Sequence, residues 1–425
     1  MVSVLLKNAN YLNADYNVVQ GNLLVKEGKI IVLEDTSSTQ PDEQTMDCRE
    51  FIIIPGLYNS HFHGYSLSAK GIARDIKIED WCNDSSQGQI QKRYFDKLDN
   101  LSSSDYQIVL MKAYIEMVKQ GIVFTSESEP QEWPDLAAES INKVGLKGLI
   151  DTHDKIADYH NKKIHNISFG THLLEEEDIT DETLANCETI KQKYDSIHLT
   201  HCMENDWRKD LIFSSYGKSS VELYKERDLL DHKTVLYHGV HLNEKDITLL
   251  AETGASVVHC PVSNYWTAAG IAPVSKMLEK GVNVCLGTDF ASVDIWETMK
   301  ISYFLLKNSA PIQRFTAEDI FKMATKNGAA AYQLSSHGSI EDNFAADMVF
   351  IKKDSFIPDI QTGNFSTAVH NLMMETNKER IHHVMVDGEW IMYNRELKKV
   401  DEETINQEYQ IIVEKLYSGI TESMK

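Results

Sequence analysis

Cysteine is sparse in this chain of 425 residues: Cys48, Cys82, Cys187, Cys202, Cys260 and Cys285 each lie 15 or more residues from the next. That spacing excludes a CxxC zinc knuckle, and a chain of this length buries enough surface to need no disulfides, so reduced, intracellular thiols are expected. Proline (8) and glycine (21) are too few for a collagen-like or low-complexity chain. Positive charge is also short. Forty-two Lys and Arg stand against 64 acidic residues, a formal net charge of −22, so most of the surface repels phosphate backbones and anionic membranes, and nucleic acid is excluded as a partner. Long apolar runs are missing: the densest, Phe51 to Leu57, cannot span a bilayer, and Met1 to Lys7 leads into no signal-type apolar stretch. A cytoplasmic protein with no membrane segment is expected. What remains, 42% apolar and 25% charged residues, is the composition of a globular chain with a large core.

Val2 to Glu34 alternates short apolar runs with Asn-Ala-Asp, Gln-Gly and Glu-Gly turns, which reads as strands and hairpins. The same texture returns in Ala346 to Ile351 and His383 to Met392. The two ends are therefore expected to build one small β-sandwich domain, residues 1–54 with 345–425, the second part ending in a helix. Between them, residues 55–344 alternate short β-rich runs with helical stretches such as Asp105 to Lys119 and Leu242 to Thr253. The runs end at His61-Phe62-His63, Thr125, Asp151, His172, His201, His238, His259 and Asp289. Eight such units predict an α/β fold, a (β/α)₈ TIM-type barrel whose chemistry sits at the C-terminal strand ends. Seven of those ends carry a His or an Asp.

His61 and His63, two apart on a strand, project from one face and can share an ion, although two histidines at that spacing also arise by chance in a chain with 16. His201 closes the fifth strand and Asp289 the eighth, completing three nitrogen donors and one carboxylate, a set suited to Zn²⁺ or Fe²⁺. Glu204 follows His201 by three residues, so the strand must end or bulge between them for both to face the same centre.

Pro55-Gly56-Leu57-Tyr58-Asn59-Ser60-His61-Phe62-His63, His201-Cys202-Met203-Glu204-Asn205, Tyr237-His238-Gly239-Val240-His241-Leu242, His259-Cys260-Pro261-Val262-Ser263-Asn264 and Leu286-Gly287-Thr288-Asp289 resemble, in order, the PGLVNxHxH, HxxE, AHCVHL, HCPxSN and LGTD blocks of the amidohydrolase superfamily. The likeness is to its mononuclear branch of cytosine, guanine and S-adenosylhomocysteine deaminases and triazine hydrolases. Gly338 to Asp347 resembles the segment that leads back into the small domain. The resemblance implies His61, His63, His201 and Asp289 as ligands of one divalent ion, Zn²⁺ ahead of Fe²⁺, with Asp289 also serving catalysis. It implies Glu204 as proton carrier and His238 as the group that orients the attacking water. No lysine stands at the fourth strand end, where the binuclear branch carries a carbamylated one, so one ion is expected.

The implied reaction is hydrolytic deamination of a nitrogen heterocycle such as a purine, pyrimidine, pterin or triazine-like ring, with the small-molecule substrate and water as partners. The alternatives are a same-fold hydrolase that expels halide or a substituted amine, and a non-catalytic scaffold. A homodimer is compatible with the sequence. His172, Trp81 and His259 are candidates for contact with substrate. After His172 the family's Ser-Pro-Tyr type of segment is replaced by Leu173-Leu174-Glu175. The acidic run Glu175 to Asp178 then has two readings: attraction of a cationic substrate tail, or the start of the next helix, where acidic side chains offset the macrodipole.

Overall fold

The computed structural model describes residues 3–33, 44–128, 133–162, 164–172, 174–353, 360–362 and 365–420. Eight parallel strands follow one another around the central unit: β1 (Leu57–Phe62), β2 (Ile122–Glu127), β3 (Lys147–Asp151), β4 (Ile167–His172), β5 (His198–Cys202), β6 (Thr234–His238), β7 (Ser256–His259) and β8 (Asn283–Leu286). Nearly every residue in them is buried, as a parallel sheet covered by helices requires. The ring is closed by a parallel bridge between Phe62 and Asp289. Register aligns His201 with Tyr237, Cys202 with His238 and His259 with Leu286, so the polar strand ends collect on one rim.

The chain ends join in one nine-stranded sheet that forms the small domain. It branches at strand Val4–Leu12, which pairs with Gln44–Asp47 along its first half and with Phe51–Pro55 further on. Phe51–Pro55 also pairs antiparallel with Met348–Lys352, joining the two termini. Leu6, Leu23, Ile53, Met348 and Phe350 form a core separate from that of the barrel. The chain enters the barrel through Gly56, where a Cβ would lie 2.4 Å from Val123 Cγ2. Buried Lys147, at the start of β3, ties the units together through Asp347 and Asp387, 2.7 Å from each.

The C-terminal helix Glu402–Tyr417, expected with the small domain, instead packs on the barrel helix Ser103–Lys119. Lys112 Nζ reaches Asn406 Oδ1 at 2.8 Å, and Tyr417 Oη donates to the Ser68 carbonyl at 2.8 Å. Its apolar stripe of Ile405, Ile412 and Leu416 is buried there. No described helix is long and apolar enough to cross a membrane.

Candidate active site and metal centre

His61, His63, His201 and Asp289 converge on the C-terminal rim. Ring centroids of His61 lie 4.9 Å from His63 and 5.0 Å from His201, and the His63 and His201 rings are parallel at 5.7 Å. Asp289 Oδ1 sits 3.2 Å from His61 Nε2 and 3.3 Å from His63 Nε2. Neighbouring strands orient these rings from behind. His61 Nδ1 donates to Ser128 Oγ at 3.0 Å, Ser128 donates onward to Tyr237 Oη at 3.2 Å, and the Tyr237 ring stacks on His61 at 3.8 Å. His201 Nδ1 lies 2.5 Å from Glu175 Oε1.

Three turns of the backbone aim the remaining groups. Met203, His238 and Asp289 adopt left-handed φ values of 52°, 70° and 63°, a conformation that non-glycine residues rarely hold unless the surroundings impose it. The break expected between His201 and Glu204 is the one at Met203, and it brings Glu204 to the same side as His201. Glu204 Oε1 then lies 3.8 Å from His238 Nε2, which is itself 3.8 Å from Asp289 Oδ2. His238 Nδ1 donates to Asn264 Oδ1 at 2.8 Å, which leaves the Nε2 lone pair facing the centre. His241 turns away, its Nε2 donating to the Ala269 carbonyl at 2.9 Å.

The donor set fits a divalent ion. The ligand atoms of His61, His63 and His201 lie within 4.8 Å of one another, as do those of His61, His238 and Asp289. His61 Nε2 and His238 Nε2 are buried without a hydrogen-bond partner, a costly arrangement unless something electrophilic accepts their lone pairs. Burial pushes His61 well below the ordinary histidine range, against the opposing pull of Asp289, so its ring is neutral, as a ligand must be. Burial alone would raise the Asp289 carboxyl, but His61, His63 and His238 outweigh it and hold it well below the usual carboxylate range.

His172 reaches the same rim, but both of its ring nitrogens are engaged: Nδ1 lies 2.6 Å from Asp151 Oδ2 and Nε2 lies 2.8 Å from Glu175 Oε1. Burial opposes its charge, yet Asp151 and then Glu175 raise it well above the ordinary range, while Asp151 is held down at about 2. Each ring nitrogen of His172 thus faces a carboxylate of the protein, Nδ1 that of Asp151 and Nε2 that of Glu175.

The acidic run does not begin the helix that follows β4. Glu175 and Glu176 point inward, and the helix begins later, at Asp181, after a single turn over Glu176–Asp178. Glu176 accepts from the Met203 N–H at 3.0 and 3.2 Å and is pushed up by burial to about 7.

His259 is buried, its Nδ1 has no hydrogen-bond partner, and burial followed by nearby His238 lowers it to about 3. Trp81 packs at 5.1 Å on Phe290, the residue after Asp289, which also meets Tyr65 at 6.4 Å. The Trp81 Nε1 is buried without a partner. Several groups escaped the sequence reading. Strand β2 runs on to Glu127, whose Oε1 accepts from the Gly64 N–H at 2.7 Å and whose carboxyl burial raises to about 7. Arg208, four residues after Glu204 on helix Asp206–Tyr216, binds Glu204 Oε2 at 2.9 Å. The i,i+4 spacing was the one signal available for Arg208.

Residues 52–391 match the amidohydrolase family. The chain is 24% identical to a 5-methylthioadenosine/S-adenosylhomocysteine deaminase of Caldicellulosiruptor saccharolyticus, over 99% of this chain and all of that one. It superposes on an adenosine deaminase from Xanthomonas campestris with bound zinc at a TM-score of 0.85, with 20% identity over 98% of both chains. An atrazine chlorohydrolase from Arthrobacter aurescens TC1 complexed with zinc gives 0.82, with 18% identity over 96% of this chain and all of that one.

Proposed function

From the premise that this chain belongs to the amidohydrolase family, we propose that it is a one-metal aminohydrolase. In this reading it replaces an exocyclic amino group of a nitrogen heterocycle with oxygen and releases ammonia. The observation that carries the reading is the convergence of Glu204 and His238 on the His61–Asp289 pair, with one free carboxylate oxygen and one free imidazole nitrogen facing a common point. His61, His63, His201 and Asp289 would hold the ion, and zinc is the ion named with both solved relatives. Such an ion supplies a Lewis acid that brings the pKa of water toward about 7.

The chain's own groups account for the proton traffic. Glu204 Oε2 is occupied by Arg208, so Oε1 is the oxygen that takes the proton of the attacking water and delivers it to the ring nitrogen beside the amino-bearing carbon. Protonation of that nitrogen lets the carbon accept the water oxygen and become tetrahedral. His238, its tautomer set by Asn264, orients the water through Nε2. A second proton passed through Glu204 to the amine allows the carbon–nitrogen bond to break, and a carbonyl remains. Trp81, with Phe290 and Tyr65 beside it, supplies a flat apolar wall for the heterocycle, and His259 belongs to the floor beside His238.

Six free cysteines, five of them buried, support a cytoplasmic setting. The test is an ammonia-release screen of the zinc-loaded enzyme over 6-aminopurine nucleosides, free purines, pyrimidines, pterins and aminotriazines, with chloride release from chlorotriazines measured in parallel. Ammonia from at least one amine at a kcat/KM of about 10⁴ M⁻¹s⁻¹ or more is expected. Chloride release alone would replace the reading with that of a halide-expelling hydrolase, and neither product would leave a scaffold.

A further inference from the structure

Buried charge is concentrated on the side of the site away from β1. Glu175 Oε1 is shared by His201 Nδ1 at 2.5 Å and His172 Nε2 at 2.8 Å, while Oε2 meets Arg208 Nη2 at 2.8 Å. The same guanidinium reaches Glu177 Oε1 at 2.8 Å and, through Nη1, Glu204 Oε2 at 2.9 Å. The side chains of Glu175, Arg208 and Glu204 are 15%, 9% and 3% exposed, so solvent screens little of this. Buried ion pairs of this kind seldom add net stability, because desolvation cancels most of the attraction. What they do fix is geometry, since a planar guanidinium with donors in a rigid fork holds its carboxylate partners in set directions.

Resting on the aminohydrolase reading, we propose that Glu175 and Arg208 are a positioning couple: Glu175 orients the ligand His201, and Arg208 ties that carboxylate to the proton carrier Glu204. Three features of the fold make the couple specific. Glu175 accepts the Nδ1–H of His201, which sets the tautomer with the lone pair on Nε2 and makes that nitrogen a better donor to the ion. Arg208 occupies one oxygen of Glu204 and leaves the other facing His238. Glu176, next in sequence, holds the Met203 N–H at the left-handed turn that separates His201 from Glu204. The segment 175–177 therefore braces the ligand's side chain, the turn after it and the clamp on the proton carrier together. His172, held by Asp151 and Glu175, is the counter-charge that keeps Glu175 in place.

The test uses the full chain loaded with Zn²⁺, and separately with Co²⁺ as a spectroscopic probe, in Glu175→Ala, Glu175→Gln, Arg208→Met and Arg208→Lys. Zn²⁺ affinity is measured by chelator competition, ligand geometry by the Co²⁺ visible absorption bands, and kcat and KM on the best amine substrate. Glu175→Ala is expected to weaken Zn²⁺ binding by about 10- to 100-fold and to shift the Co²⁺ bands, with Glu175→Gln recovering part of both. Arg208→Met is expected to keep Zn²⁺ affinity within about twofold but lower kcat by about 10-fold or more at nearly constant KM, with Arg208→Lys recovering part of the loss. Should Glu175→Ala fail to fold, the near-isosteric Glu175→Gln carries the same measurement. Wild-type Zn²⁺ affinity with unshifted Co²⁺ bands in folded Glu175 variants overturns the role of Glu175. Wild-type kcat in Arg208→Met overturns that of Arg208. The metal measurements need no substrate, so an empty amine screen would defeat the aminohydrolase reading while the Glu175 assignment is still decided.

Discussion

Asp289 and His61 close the barrel and assemble the site in the same contact: the Asp289 N–H donates to the His61 carbonyl at 2.9 Å, while Asp289 Oδ1 lies 3.2 Å from His61 Nε2. The first and last strands are thus joined at two of the proposed metal ligands. Asn59 reinforces the seam one layer below, accepting from the Thr288 N–H at 2.9 Å and donating to its hydroxyl at 2.8 Å.

Purified protein is accordingly expected to carry one equivalent of Zn²⁺ or Fe²⁺ per chain, and Asp289→Ala to lose most of it. Elemental analysis gives the answer. Two ions per chain, or none after purification in metal-supplemented buffer, would rule out the one-metal site.

Glu204→Gln removes the proposed proton carrier without touching a proposed metal ligand. It should retain its ion while kcat falls by about 10²-fold or more. A variant with full metal content and near-normal turnover would mean that the proton travels by another route.

The buried His172 imidazolium makes stability depend on pH with a definite sign. Its folded pKa is raised by Asp151 and Glu175, so its contribution is fully present below the unfolded histidine value of about 6.5 and is lost as pH rises through the raised folded value. The difference in Tm between wild type and His172→Gln should therefore be largest and flat in mildly acid solution and shrink with rising pH. Thermal melts across that range check it, and a difference that grows with pH contradicts the charged pair.

Trp81 touches Phe290 rather than any ligand, so Trp81→Ala should leave metal content unchanged. Loss of its flat wall is expected to raise KM by about 10-fold, corresponding to the 1–3 kcal/mol of an apolar pocket contact. Steady-state kinetics beside elemental analysis separate this from damage to the metal centre.

The strand ends were legible because the barrel strands are short, almost wholly buried runs with a His, Asp or Glu at, or within three residues of, their ends, and period and polarity are local properties of the chain. His61, His63, His201, His238 and Asp289 could be read from that punctuation, and the need for a break before Glu204 followed from the two-residue period of a strand. The partners of those residues were not legible. Glu175 lies 26 residues from His201, Ser128 lies 67 from His61, and Asn264 lies 26 from His238, and each pair meets only because neighbouring strands stand side by side in the closed ring. The acidic run after β4 reads in sequence as a helix start or as an attractor for a cationic substrate tail, since either would place carboxylates there at little cost. Its inward turn was decided by the buried cations of His172 and Arg208, which no local pattern announces. The sequence by itself thus determined which groups reach the rim, while the tertiary structure decided which of them are held, and by what, because hydrogen bonding between strands depends on distances that exist only after the barrel closes.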